Sequence, residues 1–389
     1  MKKRVILINA HPSILQKAKN LNLEVLHLYT KDNSYKLNDN FINIEVDYEK
    51  MEEDLSKLVI KLNKEKEINF VLSFSETGLI IMAYLNELLG LNFINIKTIE
   101  TLNNKIYLRE MLNKNNISPL NFMEGNDLND VITFYENHGP PFIVKPKSGY
   151  ASKSIILIEN KNDIHKKDFT HAFPAIIEDF IQGDEFSVES FSINGQHFII
   201  GITSKETDSS FVEKSHTVPA ILNVNEEKAI SLMINNMLDL VELKNGCAHT
   251  EIKIHNGIPK IIESHARPGG DGIPELIQQV YGFDFFLETM KLAMGEFDDI
   301  SFMEEGAASV CFFSFANEGI ISNINKDILE HKNIIKYRLR DVNIGDNIFP
   351  VKESSDRLGY IMVKELTPQK AFNLSHKLAE EHLEIVFKK

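Results

Sequence analysis

Over the first hundred residues the apolar pattern changes period repeatedly. A continuous apolar run at residues 4–9 predicts a buried parallel strand, and 3.6-residue patterns at Ile14–Asn20, Met51–Lys64 and Thr77–Leu89 predict helices. Between them, short β-rich runs at Glu24–Tyr29, Phe70–Phe74 and Phe93–Ile94 predict strands. Alternation of this kind implies a doubly wound α/β unit to about residue 97. Residues 98–120 continue as helix and stop at Ile117-Ser118-Pro119.

Strand signals dominate the middle of the chain. Pro140–Lys145 and Ser154–Ile158 bracket a loop of small residues, and Ala175–Ile181 precedes a further strand beginning near Glu185. Phe186–Ile193 and His197–Thr203 form a hairpin closed by Asn194-Gly195, the strongest short hairpin signal. The polar stretch Ser204–Val218 has the length and composition of an active-site loop. Helices follow at Glu226–Leu240, Ile273–Val280 and Asp284–Met294. From Ala307 the pattern gives strands at Ser309–Phe315, Ile334–Leu339, Leu358–Lys364 and Leu383–Phe387, with a helix at Thr367–Glu381 that Thr367 caps.

The most informative stretch runs from Gly246 to Asp271, where two alternating runs flank Asn256-Gly257 and predict a β-hairpin. A two-residue period sets His249, Glu251 and Lys253 on one face of the first strand, and Glu263, His265 and Arg267 on one face of the second. Whether those faces coincide depends on loop parity. A two-residue Asn256-Gly257 turn pairs Glu251 with Ile262 and separates the carboxylates. A three-residue His255-Asn256-Gly257 loop pairs Glu251 with Ile261 and Glu263 with His249, making the acids diagonal neighbours about 7–8 Å apart. The three-residue loop is the expectation here. Two such acids on one half-buried face call for a cation, and hard oxygen ligands favour Mg²⁺ with substrate phosphates, while the planar fork of Arg267 suits a phosphoryl or carboxylate group. A solvated polar hairpin face is the plain alternative.

Composition narrows the field. A length of 389 residues implies two or three domains, and a net charge of −14 leaves no basic surplus for a nucleic-acid backbone. The two cysteines, Cys247 and Cys311, form neither a disulfide framework nor a zinc spacing, as expected of core residues in a reducing compartment. The apolar run after Met-Lys-Lys-Arg ends too soon for a signal peptide and no run approaches a membrane span, so the expected location is cytoplasmic. No Gly-x-Gly-x-x-Gly follows the first strand, which disfavours a dinucleotide site.

Other residues are suited to a nucleotide. Lys105 can reach a phosphate site or be a surface lysine; Lys145 and the small-residue loop after it can cradle phosphates or form a plain hairpin. Backbone groups of Asp179 and Ile181 can face a flat heterocycle, and Glu185, seven positions after Glu178, can accept two ribose hydroxyls; a turn with exposed acids is the alternative. Glu76, at the mouth of its helix, faces a crevice or offsets the helix dipole.

Taken in order, Lys105, Lys145 with its loop, Glu178 with Glu185, and Glu251 with Glu263, His265 and Arg267 resemble the ATP-grasp superfamily over essentially the whole chain. Ala-Arg-Pro-Gly-Gly-Asp271, Phe211–Pro219 and Ser355–Tyr360 look like bacterial L-amino acid ligases of the dipeptide-forming type. The resemblance implies an α/β and α+β chain: a doubly wound pre-ATP-grasp domain at 1–97, an ATP-grasp domain at 98–300 with a lid at about 115–180, and a C-terminal α+β arm at 301–389. It implies that Lys105 and Lys145 hold ATP phosphates under a loop containing Ser148, Ser152, Lys153 and Ser154, that Glu178, Asp179 and Ile181 receive adenine, and that Glu185 takes the ribose. Glu251 and Glu263 would bind Mg²⁺, with Mn²⁺ as an alternative, and His265 stands where the superfamily usually has asparagine. Arg267 would hold the migrating phosphoryl group and Gly269-Gly270 would admit substrate closely, with Glu213, His216 and Asp271 on the amino-acid side. The implied reaction joins an amino-acid carboxylate to an amine through an acyl phosphate, releasing ADP and phosphate, with small-molecule partners and a homodimer as the superfamily expectation. Rival readings are another ATP-grasp ligase, biotin-carboxylase-like or of the purine pathway, or a nucleotide-binding regulatory protein without turnover.

Overall fold

The computed structural model describes residues 2–30, 41–47, 54–147, 155–208, 211–297, 299–300 and 304–387. Four parallel strands form the first sheet, in the order Ile42–Glu45, Glu24–Tyr29, Arg4–Ile8 and Ile68–Ser73. Both its faces are covered by helices, which explains why Val5, Ile6, Leu7 and Ile8 are all fully buried and read as one apolar run. The helix Glu76–Leu88 starts at the carboxyl end of the last strand, so Glu76 projects from the edge where open α/β sheets hold ligands.

The main body is an antiparallel sheet of eight strands, in the order Ile258–His265, Gly246–His255, Asp184–Ile193, Gln196–Thr207, Glu213–Val218, Ala307–Phe312, Gly359–Glu365 and Ile334–Leu339. A separate four-stranded sheet spans residues 122–179, with Ala175–Asp179 between Phe122–Gly125 and Phe142–Pro146. It closes its own apolar core, in which Phe134 and Phe142 lie fully buried against one another, and can therefore sit over the large sheet as a distinct layer. A short sheet of Asn347–Ile348, Gly319–Ile324 and Leu383–Phe387 ends the chain.

Several elements differ from expectation, each for a physical reason. Phe93 and Ile94 form a bend, not a strand, and are apolar because they pack beneath Gly246. Of the helix expected at Met51–Lys64, residues 51–53 lie outside the described residues, and the α-helix Ser56–Glu65 accounts for the remainder. Residues 96–114 form two helices, Ile96–Asn103 and Lys105–Lys114, because Asn104 leaves helical geometry and its side chain accepts from Tyr107 N–H as an N-cap. The expected loop Ser204–Val218 is largely strand: Gln196–Thr207 runs on past Thr203, and Glu213–Val218 pairs with it. Its polarity arises because Ser215, His216 and Thr217 are buried polar groups of a sheet interior.

Candidate active site

The hairpin resolves its parity in a way the sequence did not reveal. Asn256 and Gly257 both have positive φ, 52° and 76°, and close a two-residue loop in which His255 pairs with Ile258. The three-residue loop, with Glu251 opposite Ile261 and Glu263 opposite His249, is thus overturned. A register shift between Glu251 and Ile252 makes Ile262 an extra residue, so that Ile252 pairs with Ile261 and Glu251 pairs directly with Glu263. The bulge returns both carboxylates to one face. Arg109 supports it from the helix Lys105–Lys114, donating to the carbonyls of Ile261 at 2.8 Å and Ile262 at 3.4 Å, while Ser118 Oγ accepts from Ile261 N–H.

Arg109 also donates through Nε to Glu178 at 2.9 Å, and Lys145 Nζ meets the other oxygen of that carboxylate at 2.6 Å. Burial raises the Glu178 pKa, but the two cations outweigh it and hold the group ionised. Lys105 lies 3.4 Å from Glu263. A cavity of about 170 Å³ gathers Glu76 and Lys105 from the starts of two helices, Lys145 and Glu178 from the four-stranded sheet, and Glu263 and His265 from the eight-stranded one.

Glu251 makes a second set of contacts. Lys205 Nζ lies 2.6 Å from Glu251, 3.0 Å from Glu185 and 3.7 Å from Glu213, so one buried ammonium collects three residues singled out in sequence. Burial lowers the Lys205 pKa and the three carboxylates raise it further than burial lowers it. Sequence reading missed Lys205 because it lay inside the presumed loop; extending the strand alternation from Thr203 by one step would have pointed it inward.

The Arg267 loop is anchored on both sides. Arg267 Nε donates to Glu76 at 2.5 Å, and Glu76 also lies 3.2 Å from His265 Nδ1. Burial opposes ionisation of Glu76, yet His265 and Arg267 bring its pKa to about 2. The other nitrogen of His265 lies 3.2 Å from Glu263, so carboxylates engage both ring atoms and raise its pKa against burial. Glu189, fully buried, accepts Gly269 N–H at 3.1 Å and meets His249 Nδ1 at 2.5 Å. A Cβ on Gly269 would lie 2.9 Å from that histidine, whereas one on Gly270 would meet nothing within 4 Å.

Farther along, Asp271 accepts from Arg357 at 2.6 Å, Ser354 Oγ donates to Glu213, and Arg357 also donates to the Glu213 carbonyl. His216 is buried beside Phe312, and its Nδ1 has no hydrogen-bond partner; burial first, then Lys205, lower its pKa to about 3. Asp179 accepts from Asn121 N–H, and Ile181 is half-buried in the linker after Ala175–Asp179. Ser148, Ser152, Lys153 and Ser154 lie outside the described residues.

Among the described residues no three His, Cys, Asp or Glu side chains are arranged to cage a metal. The opposed Glu251–Glu263 pair suits the other mode, in which Mg²⁺ takes one or two carboxylates and completes its shell with phosphate and water.

Residues 138–275 match the ATP-grasp domain family. The whole chain superposes on a crystal structure of an L-amino acid ligase from Bacillus licheniformis with a TM-score of 0.82, covering 100% of this chain and 99% of that one at 22% identity. The chain carries an ATP-grasp domain. A phosphoribosylglycinamide synthetase from Anaerococcus prevotii superposes less closely, with a TM-score of 0.73, full coverage of both chains and 20% identity. Among curated sequences, the alanine–anticapsin ligase of Bacillus subtilis (strain 168) is 28% identical over 266 residues, 61% of this chain. The match spans 56% of that relative's length. No helix among the described residues is long and apolar enough to cross a membrane.

Proposed function

We propose that the protein is an ATP- and Mg²⁺-dependent carboxylate–amine ligase that joins an amino acid to an amine, a second amino acid being the favoured acceptor. The observation that carries this reading is the direct opposition of Glu251 and Glu263 across the bulged hairpin, with Lys105 and Lys145 lining the same cleft as Glu263 and Arg267 bonded to Glu76 at its wall. Lys105 and Lys145 would hold the phosphates, and Glu251 and Glu263 would hold the divalent ion, which supplies neutralisation of the migrating phosphoryl group.

The chemistry follows from charge. A carboxylate is a poor electrophile until an oxygen is phosphorylated, and bringing it to ATP juxtaposes anions that Lys145 and Arg267 offset. The carboxylate oxygen takes the γ-phosphoryl group as ADP leaves; the amine nitrogen then bonds to the acyl carbon, the carbon–oxygen bond to phosphate breaks, and the amine loses a proton to water. Arg267 is suited to both anionic stages, and Glu76 fixes its orientation. Glu189 fixes the Gly269 backbone beside it.

The test is ADP release over a matrix of amino-acid pairs, with product identified by mass. We expect turnover with a restricted set of pairs and, in Glu263→Ala, ADP formation reduced at least 100-fold with melting temperature nearly unchanged. Near-normal turnover in that variant removes the metal assignment. Nucleotide binding without ADP from any pair would instead support a regulatory protein, a reading that the double engagement of His265 keeps open.

A further inference from the structure

A second cavity, of about 250 Å³, lies where the segment after Arg267 meets the C-terminal strands. Its charged walls are Asp271, Glu275, Lys336, Arg338, Arg340 and Arg357, leaving two positive charges in excess in a chain whose net charge is −14. The cations are not equivalent. Arg357 is buried, stacked 3.9 Å above the Phe312 ring and paired with Asp271, and Lys336 pairs with Glu275 at 2.7 Å. Arg338 makes no ion pair or side-chain hydrogen bond among the described residues, and Arg340 donates to a carbonyl, that of Ser355. These two exposed arginines are spaced by two on the edge strand Ile334–Leu339 and its first following residue, so the strand period points both guanidinium groups the same way.

The cavity is joined to the candidate active site by direct contacts. Arg357 and Ser354 both reach Glu213, Glu213 reaches Lys205, and Lys205 reaches Glu251. Asp271 and Gly272 follow Gly270, whose Cα faces open space. His11, the N-cap of the helix Pro12–Asn20, has Lys336, Glu275 and Arg338 among its neighbouring charges. A molecule with its amine at Asp271, toward Arg267, would therefore present its far end to Arg338 and Arg340.

Resting on the ligase reading, we propose that this cavity is the acceptor subsite and that it selects a dicarboxylic amino acid, with its carboxylates held by Arg338 and Arg340. An amino acid attacks as the free amine, so a neutral side chain leaves one negative charge and a carboxylate side chain leaves two, matching the local excess. Guanidinium groups are suited to this task because their planar fork receives a carboxylate through two parallel hydrogen bonds.

The experiment compares binding of L-glutamate and L-glutamine to the full chain by calorimetry in the presence of MgADP, for the wild type, Arg338→Gln, and the double variant Arg338→Gln/Arg340→Gln. We expect L-glutamate to bind at least tenfold more tightly than its isostere. That preference should shrink several-fold in the single variant and vanish in the double, with MgADP affinity unchanged as evidence of an intact fold. Equal binding of the two ligands, no binding of either, or a preference that survives both substitutions overturns the proposal. The ligase reading fails by a different observation, absence of ADP release with every amino-acid pair, and the glutamate–glutamine difference decides the subsite in that case as well.

Discussion

Gly269 and Gly270 are adjacent in sequence and opposite in what they tolerate. A methyl group on Gly269 enters space held by His249 and Glu189, so Gly269→Ala must displace the carboxylate that receives its own N–H. Because Arg267 is two residues away on the same loop, a shift well under an ångström is enough to mis-set it, and we expect kcat to fall about 10–100-fold with little change in ATP affinity. Gly270→Ala should leave stability within about 0.5 kcal/mol, as for a surface change away from special contacts. Steady-state kinetics and melting curves of the two variants separate the cases, and equal losses would contradict the packing argument. His216 gives a prediction in pH. Its folded pKa of about 3 lies below the ordinary 6.5, so the unfolded chain binds a proton that the folded chain rejects as pH falls below about 6.5. The stability from keeping it neutral is present above that value and is lost toward pH 3. Denaturation midpoints for His216→Gln should therefore decline less steeply than wild type between about pH 6.5 and 4; parallel declines would show that another group governs the acid limb.

At the scale of elements, the bulged hairpin is the decisive unit and Arg109 is its hidden support. Removing the guanidinium in Arg109→Met takes a donor from two bulge carbonyls and leaves Glu178, a buried carboxylate, with Lys145 as its remaining cation. Breaking a buried pair from one side costs about 3–5 kcal/mol, so we expect a loss of that size in urea unfolding; a loss below about 1 kcal/mol would mean the hairpin holds its own register. The same element marks how far the sequence could be read. Asn194-Gly195 and Asn256-Gly257 announced their turns because left-handed backbone geometry is a local demand on two residues. The bulge at Ile262 has no such signature: it depends on Arg109 and Ser118, far away in the chain, supplying partners for its backbone. The same-face placement of Glu251 and Glu263 was therefore anticipated while the reason given for it, a longer loop, was mistaken. Glu213–Val218 escaped for a related reason, since the hydrophobic–polar code assumes that interiors are apolar and this strand buries Ser215, His216 and Thr217. Lys205 was lost with it.

Considered as a whole, the molecule pairs the cations of its cleft with carboxylates of its own. Lys145 is held by Glu178, Lys105 by Glu263 and Arg267 by Glu76, so each cation proposed to meet phosphate already has an internal anion, and Lys205 is held by Glu251 in the same way. ATP arriving alone would have to compete with these carboxylates and would face Glu251 and Glu263 as like charges. On the proposed reading, Mg²⁺ would make the same two acids attractive and would free Lys105 from Glu263 for the phosphates. Stabilisation by ATP should therefore depend on the metal. At a ligand concentration about 100 times Kd, linkage gives about 2.7 kcal/mol, a rise of several degrees in melting temperature. We expect that rise with ATP and Mg²⁺ together, a much smaller one with ATP and a chelator, and loss of the metal-dependent part in Glu263→Ala. If ATP with chelator stabilised the wild type as much as MgATP, the opposed carboxylates would not be the groups that decide nucleotide binding, and Lys105 would have to reach its phosphate without release from Glu263 by the metal.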